Sequence, residues 1–229
     1  MTPDRRTALV AGLLYLLTFV SSIPAALLLA PVLTDPNYIV GPGADGQITL
    51  AAALDMVNAL ACIGTAVALY SVVKRQHEGF ALGFVTARMF EAAVIVIGVM
   101  SVLAIVTLRQ DGTTGTDAGA LVAVGRGLVA VRDWTFLLGP SLMPAFNAAL
   151  LGYLMYTSRL VPRVIPTLGL IGAPLLFAST VATMFGINDM GSVWTAIATL
   201  PIFLWELSLG LWMTFRGFDP SAPVLAADR

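Results

Sequence analysis

Apolar stretches of about 20 residues or more, the length a membrane-crossing helix needs, alternate along this chain with short polar clusters. The pattern predicts six transmembrane helices, at 7–30, 48–73, 80–108, 133–157, 164–186 and 192–215. The expected fold is therefore an all-α integral membrane protein, one six-helix bundle over 1–229 with a short cytoplasmic tail at 216–229. Pro24 and Pro31 are expected to kink and end the first span. Its start, Asp4-Arg5-Arg6, resembles the charged start of a signal peptide. The apolar run that follows exceeds the roughly 7–15 residues of a cleaved signal, so it reads as a retained helix.

The third connection is the irregular one. Residues 110–119 read as a flexible polar loop by their Gly, Thr and Asp content. Residues 120–131 are apolar but interrupted by Gly125-Arg126-Gly127. They fit either a short interfacial helix before the fourth span or an early start to that span, and the surface helix is the plainer reading. Trp134 sits at the junction, where interfacial aromatics belong.

Charge sharpens this picture. Only 11% of residues are charged and 58% are hydrophobic, with a mean hydropathy of +0.90, whereas soluble domains are about a quarter charged. Arg5, Arg6, Lys74, Arg75, Arg159, Arg163, Arg216 and Arg229 fall on alternate connections, on one side of the bundle. Asp35, Asp45 and Asp189 fall on the other. By the positive-inside rule both termini are expected to be cytoplasmic, with Arg109, Arg126 and Arg132 as outward exceptions. Cys62 is the only cysteine and His77 the only histidine. A disulfide within the chain, a Cys/His metal site and bis-His haem are thereby excluded, and no cofactor or metal is expected. No basic patch interleaved with aromatics points to nucleic acid.

The candidate chemistry lies in the third span. Arg88 and Glu91 stand three residues apart near the middle of an apolar run, on one helix face. An ionisable residue at membrane depth marks a functional site by default. In the second span Asp55, Asn58, Cys62 and Thr65 follow one another at spacings that place them on one stripe. Asp133 and Asn147 belong to the fourth span and Glu206 to the sixth. The site candidates for a substrate or ion are thus Glu91, Arg88, Glu206, Asp55, Asn58, Asn147 and Asp133. Counting residues along each helix brings Arg88, Glu91 and Glu206 to one depth, with Asp55 and Asp133 further out. Arg132 is expected to neutralise Asp133. Carboxylates then outnumber buried cations, and a buried acid without a cation takes up a proton, binds a cation or meets water. The bland alternative is a fold-locking Arg–Glu pair, with the asparagines as interhelical glue. Two small-residue stretches, GFALG at 79–83 and GLIGA at 169–173, read as close helix crossings.

Five stretches also carry a resemblance: IVGPGAD at 39–45, KRQHEGFALGF at 74–84, RDWTFLLGPSLMP at 132–144, SRLVPRVIPTLGLIG at 158–172 and LPIFLWELSLGLW at 200–212. Through them the chain resembles a bacterial family catalogued as a domain of unknown function (DUF, number 4386). The resemblance implies a multi-pass protein of the bacterial cytoplasmic (inner) membrane. It brings no activity and no catalytic residues.

Three functions fit the residues. The first is a carrier or permeation protein for a proton, cation or small amphiphile, which at this size is expected to work as a homo-oligomer in the lipid bilayer. The second is a membrane sensor or accessory subunit without catalysis. The third is an intramembrane enzyme using acid catalysis on a lipid or isoprenoid. Enzyme action is the less favoured reading. No paired-aspartate motif for a metal diphosphate and no Ser–His or Cys–His pair is present.

Overall fold

The computed structural model describes residues 1–111 and 117–226. Residues 112–116 of the expected polar loop, and Arg229 from the basic set, lie outside the described residues. The described chain forms helices α1 (Pro3–Leu28), α2 (Ala30–Thr34), α3 (Asp45–Val73), α4 (Glu78–Gln110) and α5 (Ala118–Phe136), a π-helical turn (Leu137–Ser141), then α6 (Met143–Ser158), α7 (Val164–Met184), α8 (Val193–Phe215) and α9 (Pro223–Ala226). Helix starts are marked by local chemistry. Thr2 accepts from the Arg5 amide ahead of Pro3, the His77 imidazole accepts from the Phe80 amide, and Ser192 accepts from the Thr195 amide. Pro24 lies inside α1, and Pro31 opens α2.

Five of these helices, α1, α3, α4, α7 and α8, are each long and apolar enough to cross a membrane. The expected fourth span is not one uninterrupted α-helix. α5, the π turn and α6 together form a bent rod, and α4 packs along all three parts of it. Residues 120–131 therefore belong to a separate 19-residue helix that precedes α6 and lies against α4. Leu121, Gly125, Arg132 and Thr135 are its buried positions, and they give it an inward face despite the Gly-Arg-Gly interruption.

Packing closes a ring in chain order: α1 on α3, α3 on α4, α4 on α6, α6 on α7, α7 on α8, and α8 back on α1. The last contact is a close crossing. A Cβ placed on Gly12 would lie 2.6 Å from the Thr214 amide nitrogen and 2.8 Å from the Gly210 carbonyl oxygen, so only glycine admits this crossing. The Arg5 guanidinium donates to the Met213 and Thr214 carbonyls at 3.0 and 2.7 Å. It thus satisfies acceptors that the end of α8 leaves open. The start of α1, the α3–α4 connection, the α6–α7 connection and the described residues after α8 lie at this face, here called the terminal face. The opposite, distal face is closed by a clamp. Arg109 pairs with Asp45 at 2.7 Å and donates to the Gly41 and Gly43 carbonyls, beneath the Tyr38 ring. Burial and the neighbouring Asp45 push the Tyr38 phenol above its ordinary value. The IVGPGAD stretch is thereby explained, because a Cβ on Gly43 would collide with Arg109 and Tyr38.

Of the two small-residue stretches, GLIGA is a close crossing. Gly169 and Gly172 lie beneath Trp205 and Ile202 of α8, where a Cβ would come within 3.0 Å. GFALG is not, since a Cβ on Gly83 would meet only the Leu150 side chain at 3.4 Å. The described part of the tail is docked. Phe218, Ala222 and Leu225 are buried in the core of the terminal half, and the Asp219 amide donates to the Leu160 carbonyl at 2.9 Å.

Candidate functional site

The apolar interior is two cores, not one. The terminal-half core includes Ala66, Phe84, Leu151, Trp205 and Leu209. The distal-half core includes Ala59, Cys62, Ala92, Ile95 and Val99. Along α4 the seam between them falls between Phe84 and Ala92, and along α3 between Cys62 and Ala66. Arg88 and Glu91 occupy that seam.

Arg88 is the hub. Its Nη1 donates to Glu91 Oε2 at 3.1 Å, and its Nη2 donates to Glu206 Oε1 at 2.6 Å. Nη1 also lies 3.6 Å from the Cys62 sulfur, and the guanidinium carbon is 5.1 Å from the Tyr15 ring centroid. Asn147 Nδ2 donates to Glu91 Oε2 at 2.7 Å. The Cys62 thiol is 3.9 Å from Asn58 Oδ1. The depth match read from residue counts is therefore realised: α3, α4 and α8 converge on one guanidinium, α6 joins through Asn147 on Glu91, and Tyr15 of α1 lies beneath.

Two features of this cluster stand out. First, two carboxylates share one cation, so the layer carries one negative charge in excess if both are ionised. Second, it is not fully satisfied, since Arg88 Nε and Asn147 Oδ1 are buried without a hydrogen-bond partner among the described residues. Such groups are uncommon in folded proteins and call for an explanation.

Asp55 and Asp133 stand elsewhere. Asp55 pairs with Arg132 Nη2 at 3.1 Å in the distal half. The expected Arg132–Asp133 ion pair does not form; Arg132 pairs with Asp55. Neighbouring residues on a helix point about 100° apart, so Arg132 turns inward to α3 while Asp133 turns away. Asp133 instead lines a distal cavity of about 240 Å³ with Asp35, Tyr38 and Arg126. At the central cluster the acid excess is Glu91 and Glu206 against Arg88 alone. Among the described residues no group of three His, Cys, Asp or Glu side chains is placed to hold a metal ion.

The feature that sequence reasoning missed is a cleft. A cavity of about 510 Å³ lies between α1, the π turn, α7 and α8. It runs from Met190-Gly191-Ser192, in the distal connection of α7 and α8, down to Glu206. The bent rod accounts for it: α6 packs on α7, while beyond the π turn α5 packs on α4. Its walls mix apolar groups (Phe19, Ile23, Phe136, Phe203) with the hydroxyls of Ser22, Ser141, Thr180 and Thr199. Phe19 and Phe203 meet edge to face at 5.2 Å across the α1–α8 seam. A hydroxyl and amide network at the distal end, Asn188 with Ser192 and Thr195, holds the connection above it. The Glu206 side chain keeps 15% of its surface accessible, against 3% for Arg88 and 6% for Glu91. Glu206 is therefore the member of the cluster that faces the cleft.

A ring of apolar helices around a buried ion cluster, with a cleft leading to it, defines a multi-pass membrane protein with an internal polar site. More particularly, the chain belongs to the family described as domain of unknown function DUF4386, whose model matches residues 10–217. No curated protein and no solved structure matches it.

Proposed function

We propose that this protein is a carrier for a small amphiphile with a cationic or proton-donating head, which enters the cleft and exchanges at Glu206. The observation that carries this reading is the cleft ending on a carboxylate that shares its cation with a second carboxylate. A cavity of about 510 Å³ is in the range of small-molecule sites, which are mostly apolar with a few convergent polar groups. The excess charge favours an incoming cation or proton over an anion. Toward the terminal face, Phe84, Leu151, Leu209 and Met213 are fully buried in the core below the cluster. A site open at one end and closed at the other matches one end state of alternating access. Pro140, Pro144 and Pro201 flank the cleft, where kinks permit a helix to move. The working unit under this reading is a homo-oligomer in a bacterial inner membrane, with the terminal face cytoplasmic.

The test is binding of tetraphenylphosphonium, an amphiphilic cation, to purified protein, followed by its uptake into proteoliposomes. Glu206→Gln is expected to weaken binding by about tenfold or more, the scale of one charge-assisted contact, while thermal stability stays near wild type. Equal binding by both proteins would overturn the reading. Binding without uptake would favour the sensor alternative.

Orientation has its own measurement. In a Cys62→Ser background, a cysteine at Gly46 is expected to react with an impermeant thiol reagent added outside intact cells, because Gly46 is open to solvent on the distal face. A cysteine at Ser221, on the terminal face, is expected to stay unlabelled until the cells are lysed. The reverse pattern would invert the topology.

A further inference from the structure

Away from the central cluster, the terminal face carries a further concave site, about 630 Å³ in volume. It lies between the α6–α7 connection, the end of α8 and the tail that follows. Arg159, Arg163 and Arg216 line it, and none of the three has an ion-pair partner among the described residues. One carboxylate, Asp219, stands on the same wall, but it is engaged by its own tail. It accepts from the Ser221 amide at 2.9 Å and the Ser221 hydroxyl at 2.7 Å, which hold its carboxyl below the ordinary range.

The walls are built rather than incidental. Arg159 ends α6 with φ of 57°, a left-handed backbone that side chains with a Cβ rarely adopt. Gly217, at φ of 82°, turns the chain after α8, and a Cβ there would come within 2.8 Å of Arg5. The bond from the Asp219 amide to the Leu160 carbonyl ties one wall to the other. The Arg163 guanidinium is held 4.9 Å from the Tyr156 ring centroid. Arg163 also precedes the first turn of α7, which receives no side-chain cap, so the positive end of that helix dipole adds to the same field. Trp212 and Phe218 supply an apolar wall beside the three charges.

We propose that this pocket is a binding site for a phosphate-bearing anion, held by Arg159, Arg163 and Arg216, and carried either on an anionic lipid headgroup or on a soluble compound. Planar guanidinium groups bind phosphate oxygens through paired, charge-assisted hydrogen bonds. Basic pockets between membrane helices at headgroup depth hold anionic lipid heads in the same way. The site is independent of the cleft and of the carrier reading.

The experiment is a thermal-shift titration of the full chain in phosphatidylcholine nanodiscs. One arm adds dihexanoyl-phosphatidylglycerol, another inorganic phosphate, and a third sodium chloride at matched ionic strength. The expected result is a saturable rise in Tm with a phosphate-bearing probe and none with chloride. The triple change Arg159→Gln, Arg163→Gln and Arg216→Gln is expected to weaken the apparent affinity by on the order of 100-fold, from losing several charge-assisted contacts. Pro220→Glu, which adds a carboxylate to the pocket and removes no arginine, is expected to abolish the shift as well. Response to the lipid alone assigns a headgroup, and response to both probes assigns the phosphate itself. A shift that persists in Pro220→Glu, or no shift in wild type with either probe, overturns the proposal.

Discussion

Replacing Arg88 with Leu is expected to cost about 3–5 kcal/mol, because it strands two carboxylates in the middle of the bundle. The loss comes less from the bonds removed than from Glu91 and Glu206 left facing each other without their cation. Arg88 is 2% exposed, so solvent does not substitute for it. Thermal unfolding in detergent should therefore show a graded rescue. Arg88→Leu with Glu206→Gln should be more stable than Arg88→Leu alone, and adding Glu91→Gln should restore more. Losses that simply add would mean that the three side chains do not act as a unit.

Gly12→Val is the second large effect. The new side chain meets backbone atoms of α8, the Thr214 amide and the Gly210 carbonyl, which cannot rotate aside. Overpacking against a flexible side chain costs about 1–3 kcal/mol, and against backbone it belongs at or above the top of that range. Separating α1 from α8 also opens the Phe19–Phe203 contact beside the cleft. The expected readout is a lower Tm together with weaker binding of tetraphenylphosphonium. Gly127→Val is the control, since nothing lies within 4 Å of a Cβ there. A wild-type Tm for Gly12→Val would show that the ring is not closed through this crossing.

Much of this was legible in the chain because membrane helices announce themselves by length and apolarity. The run around Arg88 and Glu91 became α4, and three-residue spacing put both on one side. Glu206 could be placed at their depth by counting residues, since a helix rises by a fixed step. Other features were hidden for physical reasons. Arg132 and Asp133 are adjacent in sequence and opposed in space, so proximity along the chain named the wrong partner. The docking of Phe218 and Leu225 depends on a groove that exists only after the helices pack. Gly12 and Gly210 show no local motif, because the crossing they permit is a property of both helices together. The cleft was out of reach because it depends on where α5 parts from α7.

That parting rests on one surplus residue. A π turn holds one residue more than the α-helical turn it replaces, so everything after Ser141 is displaced in phase from everything before Leu137. The two halves of the rod are thus read in different frames: Arg132 addresses α3 in one, and Asn147 addresses Glu91 in the other. Removing a single residue from Leu137–Ser141 would bring the frames into step. α6 would rotate by about 100° relative to α5, and Arg132 and Asn147 could no longer both face inward.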